Sequence, residues 1–241
     1  MNDKFVRSAL VFGESGIEKL NNASVAVFGL GGVGSYVVEG LARAGVGKFT
    51  LIDNDVYGLS NFNRQLYATD ETVGKLKTAV AKDRILSINK SATVAEVNAF
   101  ITEREPTDLD FSKFDYVVDA IDTISGKIEI IMRAKSAGVK VISSMATGNK
   151  LNPAAFKVAD IYSTKNCPLS RVMRKLLRER GVESLKVVYS EEPPITADEE
   201  MLSLYGEKKG NGFAPASVSF VPSVAGLIIA GEVVKDIVKV K

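Results

Sequence analysis

The 241-residue chain contains no histidine and only one cysteine, Cys167. Without histidine there is no Ser-His-Asp triad, no imidazole general base and no histidine metal ligand. A single cysteine excludes a disulfide framework and the paired C-x-x-C spacing of a structural zinc site. Chemistry is left to carboxylates, lysine, arginine, hydroxyls, backbone N–H groups, or a metal carried in by a ligand. An excess of either charge is missing as well. The 31 Lys and Arg against 29 Asp and Glu leave a net +2, so a nucleic-acid partner must be met by a local basic patch. The first residues, "MNDKFVRSALVFGESG", lack the long apolar core of a secretory signal, which predicts a cytoplasmic protein. The most apolar segment, Phe220 to Val238, is broken by Pro222, Ser223, Glu232 and Lys235. That pattern suits a buried helix, and no stable membrane insertion is expected.

What the chain does have is an alternating rhythm. Short Val/Ile/Phe-rich runs at 24–28, 48–53, 92–97, 115–120 and 139–143 alternate with helix-like segments at 34–44, 75–88 and 124–137. This predicts an α/β, Rossmann-like, doubly wound and mostly parallel sheet with helices on both faces. After residue 150 come an apolar stretch at 154–161, a basic helix at 169–180, a strand at 185–190, and a polar loop from Glu191 to Gly212 expected to be mobile. A single domain over 1–241 is expected, with a ligand-binding core at about 20–150 and an irregular, substrate-facing half at about 151–241.

The run "VFGLGGVGSYVVEGLARAGVG" places Gly29, Gly31, Gly32 and Gly34 between a strand and a helix. Glycines there let the backbone approach a pyrophosphate, and the helix N-terminus supplies unpaired N–H donors. Asp53, with Asp55 close behind, ends the second strand, where a carboxylate accepts from ribose hydroxyls. These features alone suit NAD and ATP equally. The following stretch, "LSNFNRQLYATDETVGKLK", adds Asn61, Arg64, Gln65 and Lys77. Hydride transfer has no use for additional cations beside the phosphates, whereas cleavage of a triphosphate needs its developing charge neutralised.

On these residues the chain resembles the ThiF/MoeB/E1-like adenylating family. Five of that family's motifs occur in order: the glycine loop, the acidic pair Asp53 and Asp55, S-N-x-N-R-Q at 60–65, G-x-x-K at 74–77, and D-x-x-D at Asp119 and Asp122. The resemblance implies that ATP binds the glycine loop with Asp53, Asp55 and Gln65, that Asp53 meets the ribose, and that Asn61, Arg64 and Lys77 contact the phosphates. It implies that Asp122 holds Mg²⁺ or orients the acyl phosphate, so that Arg64, Lys77 and Asp122, together with Arg7, form the catalytic set. It also implies a homodimer in which Arg7, on an N-terminal arm, reaches the partner's triphosphate.

Family members that adenylate a ubiquitin-like or sulfur-carrier C-terminus usually carry zinc-binding cysteine pairs, and this chain has none. It looks instead like the branch that cyclises N6-threonylcarbamoyladenosine in tRNA. The threonyl carboxylate is there activated as a mixed anhydride with AMP, and the attacking group lies on the same side chain. A well-oriented intramolecular attack reaches an effective molarity on the order of 10⁵ M or more, so no protein nucleophile is needed. Cys167 accordingly reads as a small structural residue before a helix. With tRNA as substrate, Arg171, Arg174, Lys175, Arg178 and Arg180 in "LSRVMRKLLRER" form the expected phosphate-binding face. A sulfur-transfer protein is a further possible partner of this branch.

Overall fold

Runs of consecutive apolar residues become parallel strands when helices cover both faces of the sheet, and the N-terminal half of this chain is built that way. The structure, a computed structural model, describes residues 3–206, 208–209 and 212–239. Helix α1 (Val6–Asn22) leads into β1 (Ser24–Phe28), α2 (Gly34–Ala44), β2 (Lys48–Ile52), α3 (Lys77–Ile88) and β3 (Thr93–Val97). The chain continues through β4 (Tyr116–Asp119), α4 (Ile124–Ser136), β5 (Lys140–Ser144) and β6 (Phe156–Asp160). It then forms α5 (Pro168–Glu179), β7 (Lys186–Ser190), α6 (Glu199–Tyr205), the two-residue strands β8 (Lys208–Lys209) and β9 (Gly212–Phe213), and α7 (Phe220–Val238).

Seven strands share one sheet in the order β3-β2-β1-β4-β5-β7-β6, all parallel except the antiparallel pairing of edge strand β6 with β7. Alternate side chains divide between two cores. Val25 and Val27 of β1 meet α2 and α7 on one face, and Ala26 and Phe28 meet α4 on the other. The order reverses between β1 and β4, which leaves a crevice outside their carboxyl ends.

Three departures from the sequence reading have local causes. Helix α1, which that reading does not assign, is kinked at Gly13 (φ +71°), which interrupts its pattern, and buries only Gly16, Ile17 and Leu20. Residues beyond 150, expected to be irregular, include regular elements of the main sheet. Strands β6 and β7 extend the same sheet, and α7 packs along α2. The expected loop Glu191 to Gly212 contains α6, capped by Asp198 Oδ1 accepting from the Met201 N–H at 2.9 Å, together with the short β8 and β9. Its residues 207, 210 and 211 lie outside the described residues. Helix α7 is buried as expected, and no helix among the described residues is long and apolar enough to cross a membrane.

Candidate functional site

The glycine loop divides its work. Gly29 turns the chain out of β1 at φ +87°, and a Cβ there would stand 2.8 Å from the Ala120 carbonyl oxygen. At Gly34 a Cβ would meet the Gly29 carbonyl oxygen at 1.7 Å. Gly34 is buried as the first residue of α2 and is not among the residues lining the cleft described below. A Cβ on Gly31 would meet only Gln65 Nε2, at 3.8 Å, and one on Gly32 would meet Pro222 of α7 at 3.3 Å.

Asp53 braces this loop. Its Oδ2 accepts from the Leu30 N–H at 2.7 Å and its Oδ1 from the Asp55 N–H at 2.8 Å. Burial pushes the carboxyl above the usual range, opposed by the Lys77 charge and by those two N–H groups. Lys77, the first residue of α3, is 4% exposed and its ammonium pairs with Asp55 Oδ2 at 2.8 Å. Asn61 Oδ1 accepts from the Gly58 N–H at 3.1 Å. Arg64 donates to the Ser60 carbonyl at 2.7 Å and to Asn63 Oδ1 at 3.1 Å, so its guanidinium is held within its own turn. Gln65 is buried, and its Oε1 has no hydrogen-bond partner among the described residues. A buried acceptor without a donor costs free energy until a ligand or water supplies one.

The D-x-x-D motif splits in two. Asp119 is fully buried and accepts from Lys127 Nζ at 3.0 Å and from the Ser143 hydroxyl. Lys127 also donates to the Ser144 carbonyl at 2.7 Å, so this cluster ties β4, α4 and β5 together beneath the crevice. Asp122 lies exposed beyond the strand end, and Thr123 is the N-cap of α4. The inner carboxylate is buried in the frame and the outer one borders the cleft described below.

A cleft of about 990 Å³ brings together Gly29, Gly31, Gly32, Asp53, Asp55, Asn61, Arg64, Gln65, Lys77 and Asp122. Sequence reasoning missed the rest of its lining: Phe100, Lys127, Ser144, the 145–148 turn after β5, and the Phe213–Pro215 stretch. Those residues, on α4, the end of β5, β9 and the connections between elements, belong to no motif, and their neighbours lie far along the chain.

Six predicted residues stand away from the cleft. Arg7 is exposed on α1, not on an extended arm. The ring of its neighbour Phe5 is what a Cβ on Gly45 would meet, at 3.5 Å, and Lys4 Nζ donates to the Ile88 carbonyl at 3.1 Å. Both interactions lie at the ends of α2 and α3 that are opposite the glycine loop. On α5, Arg174 donates to the Thr164 carbonyl at 3.0 Å and to its hydroxyl, Arg178 stacks over the Tyr162 ring at 5.2 Å, and Arg180 pairs with Glu103 at 2.7 Å. Arg171 and Lys175 are exposed without an ion pair among the described residues. The five cations are therefore not one uniform face.

The ThiF family profile matches residues 5–241. The chain belongs to the ThiF family. Among relatives of this ThiF-family chain, the tRNA threonylcarbamoyladenosine dehydratase of Bacillus subtilis (strain 168) is 40% identical over 244 residues, covering 99% of this chain and 96% of the relative. The enzyme of that name from Haemophilus influenzae is 34% identical over 235 residues, covering 93% and 89%. The crystal structure of Escherichia coli tRNA N6-threonylcarbamoyladenosine dehydratase, TcdA, in complex with ATP superposes with a TM-score of 0.83 at 27% identity, covering 98% of this chain and 94% of that one.

Proposed function

We propose that this chain is an ATP-dependent tRNA threonylcarbamoyladenosine dehydratase. It activates the threonyl carboxylate of N6-threonylcarbamoyladenosine in tRNA and closes the side chain into a ring. The observation that carries this reading is the gathering, in one cleft at the β1/β4 reversal, of the glycine turn, Asp53, Asn61, Arg64, Gln65, Lys77 and Asp122. Full-length likeness to relatives of that name supports the same reading.

The cleft suits ATP. Gly31 leaves room for backbone approach to a phosphate, and the unpaired Gln65 Oε1 needs a donor. In the proposed reaction a carboxylate oxygen bonds to the α-phosphorus as the bond to pyrophosphate breaks. Arg64 and Lys77 neutralise the charge moving onto that leaving group. Among the described residues no cluster of three or more Asp, Glu, Cys or His side chains is placed to hold a metal ion. Mg²⁺ would therefore come with the triphosphate and take one carboxylate, Asp122, as its protein ligand. The ring then forms within the substrate and AMP leaves.

The reading includes a homodimer, in which Arg7 serves the partner's site. Exposed Leu10 and Val11 beside it on α1 supply apolar surface for the interface. Arg171, Lys175 and Arg178 are the α5 cations best placed for tRNA phosphates. Cytoplasmic location follows from the substrate. A sulfur-transfer partner has less support, since the only thiol, Cys167, is buried. The deciding experiment incubates the protein with ATP and tRNA carrying threonylcarbamoyladenosine, then digests the tRNA for nucleoside mass analysis. A product lighter by one water, formed with AMP, is expected, and an unchanged nucleoside mass would refute the reading.

A further inference from the structure

Asn149, in the turn after β5, makes a set of hydrogen bonds that the proposed reaction leaves without a role. Its φ of +56° lies in the left-handed region that few residues other than glycine occupy. Three hydrogen bonds keep it there. Its N–H donates to the Ala216 carbonyl at 2.7 Å, its Oδ1 accepts from the Ala216 N–H at 2.8 Å, and its carbonyl accepts from the Ile195 N–H at 2.8 Å. One residue thus satisfies both backbone groups of Ala216. A second tether comes from the nucleotide side of the cleft, where Asn63 Nδ2 donates to the Ser217 carbonyl at 2.9 Å. Gly148 permits the close approach, since a Cβ there would stand 2.5 Å from Pro215 Cβ. Phe213, Ala214, Pro215 and Ser217 are in this way presented to the cleft that holds Lys77 and Asp122.

We propose that Asn149 is a positioning residue for the cyclisation, holding the Phe213–Ser217 segment as the wall that keeps water from the activated carboxylate. The inference rests on the function proposed above. A mixed anhydride with AMP has two fates. In the productive one, the substrate's own nucleophile bonds to the acyl carbon, the bond from that carbon to the phosphate oxygen breaks with its electron pair going to AMP, and the nucleophile's proton is lost to the medium. In the wasteful one, a water oxygen bonds to the same carbon, the same bond breaks with its electron pair going to AMP, and both protons of the water are lost to the medium, returning the starting carboxylate with AMP. Each route consumes one ATP, and only the first yields product. The intramolecular route outruns water only while the side chain is held in its reactive geometry, and a wall of Phe213, Ala214 and Pro215 offers water few hydrogen-bonding partners.

The test measures AMP and cyclised nucleoside together at initial rates, with tRNA carrying threonylcarbamoyladenosine. The native protein is expected to release about one AMP per ring closed if the intramolecular route dominates. Asn149→Gly keeps the left-handed backbone but removes Oδ1, and its AMP-to-product ratio is expected to rise on the order of threefold or more as orientation is lost. Asn149→Asp retains an acceptor at the same place and is expected to bring the ratio back towards the native value, which a merely structural role would not require. An unchanged ratio in Asn149→Gly, or an Asn149→Asp protein as uncoupled as Asn149→Gly, overturns the proposal. Should Asn149→Gly fail to fold by thermal unfolding, Asn63→Ala cuts the other tether and carries the same expectation, and an unchanged ratio there overturns it equally. A native protein that closes no ring refutes the proposed function itself, an outcome distinct from ring closure with an unmoved ratio.

Discussion

At the scale of single residues, burial and pairing separate the cations that can act from those that hold the chain. Lys77 is buried at the head of α3 and pairs with a carboxylate that is itself well exposed. An ammonium held that way is available to an incoming phosphate at little reorganisation cost. Lys77→Ala is expected to lower turnover on the order of 10²-fold while changing ATP affinity much less, because the charge it meets develops in the transition state. Single-turnover AMP formation, set beside equilibrium ATP binding, checks this, and comparable losses in both would assign Lys77 to ground-state binding alone. Lys127 is a contrasting case. It is buried with its ammonium bonded to Asp119 and Ser144, and it serves the frame of the cleft. Asp53 stands between these cases, since both of its oxygens brace backbone N–H groups while it borders the cleft.

At the scale of elements, α5 and α7 each carry a prediction. Replacing Arg171, Lys175 and Arg178 together with Ala is expected to weaken tRNA binding and flatten its salt dependence, by nearly one unit of log–log slope for each phosphate no longer neutralised. Arg174→Ala, which removes the Thr164 anchor, is expected to lower Tm with little change in that slope. An unaltered slope in the triple variant would move the tRNA interface off this helix. Helix α7 is tied to β7 through Lys186, which reaches Asp236 at 2.8 Å and Glu232 at 3.2 Å. Burial opposes ionisation of both carboxyls, and the hydrogen bonds outweigh it: Lys186 and Tyr116 hold Asp236, and Lys235 and Lys186 hold Glu232, below the ordinary range. Depressed carboxyls stabilise the fold above their unfolded pKa, and that contribution fades as pH falls through the folded value. Lys186→Met is therefore expected to cost on the order of 1 kcal/mol near neutrality after allowance for solvent screening, about 2–4 °C in Tm. The difference should shrink below about pH 4. A Tm difference that stays constant into acid would show that the network contributes through packing alone.

What could be read from the sequence follows the same elements. Strand β1 and helices α2 and α7 span the residues expected of them, because double-sided burial writes continuous apolar runs and a glycine marks the end of α2. Helix α6 buries no residue and so wrote no pattern. The motif-bearing side of the cleft was legible because one continuous stretch of chain, from Gly29 to Lys77, carries most of it. Lys127, Asn149 and Phe213 were not, since each takes its meaning from partners on other strands or loops.

At the scale of the whole molecule, Arg7 poses the question of how many chains make a site. It lies at the end of the fold opposite the glycine loop, so within its own chain it is not among the cleft residues. A twofold dimer would use the arginine twice, giving two equivalent sites. If it acts across the interface, mixing Arg7→Ala subunits with Lys77→Ala subunits is expected to restore activity, since each mixed dimer then holds one site with both defects and one with neither. No recovery in a preparation shown to contain mixed dimers would assign Arg7 elsewhere.

The meeting of Gly32 and Pro222 has a consequence in time as well as in space. The glycine loop is synthesised well before α7, the helix whose Pro222 an added Cβ on Gly32 would meet. Every nucleotide motif is thus synthesised long before the surface that backs it exists, and domains dominated by such distant pairings form late. A nascent chain stopped before Phe220 is expected to carry all five motifs and retain no ATP, as filter binding on stalled ribosomes would report. ATP use would then begin only once α7 has been made and has packed behind the loop, and a chain without that helix would have no means of spending nucleotide.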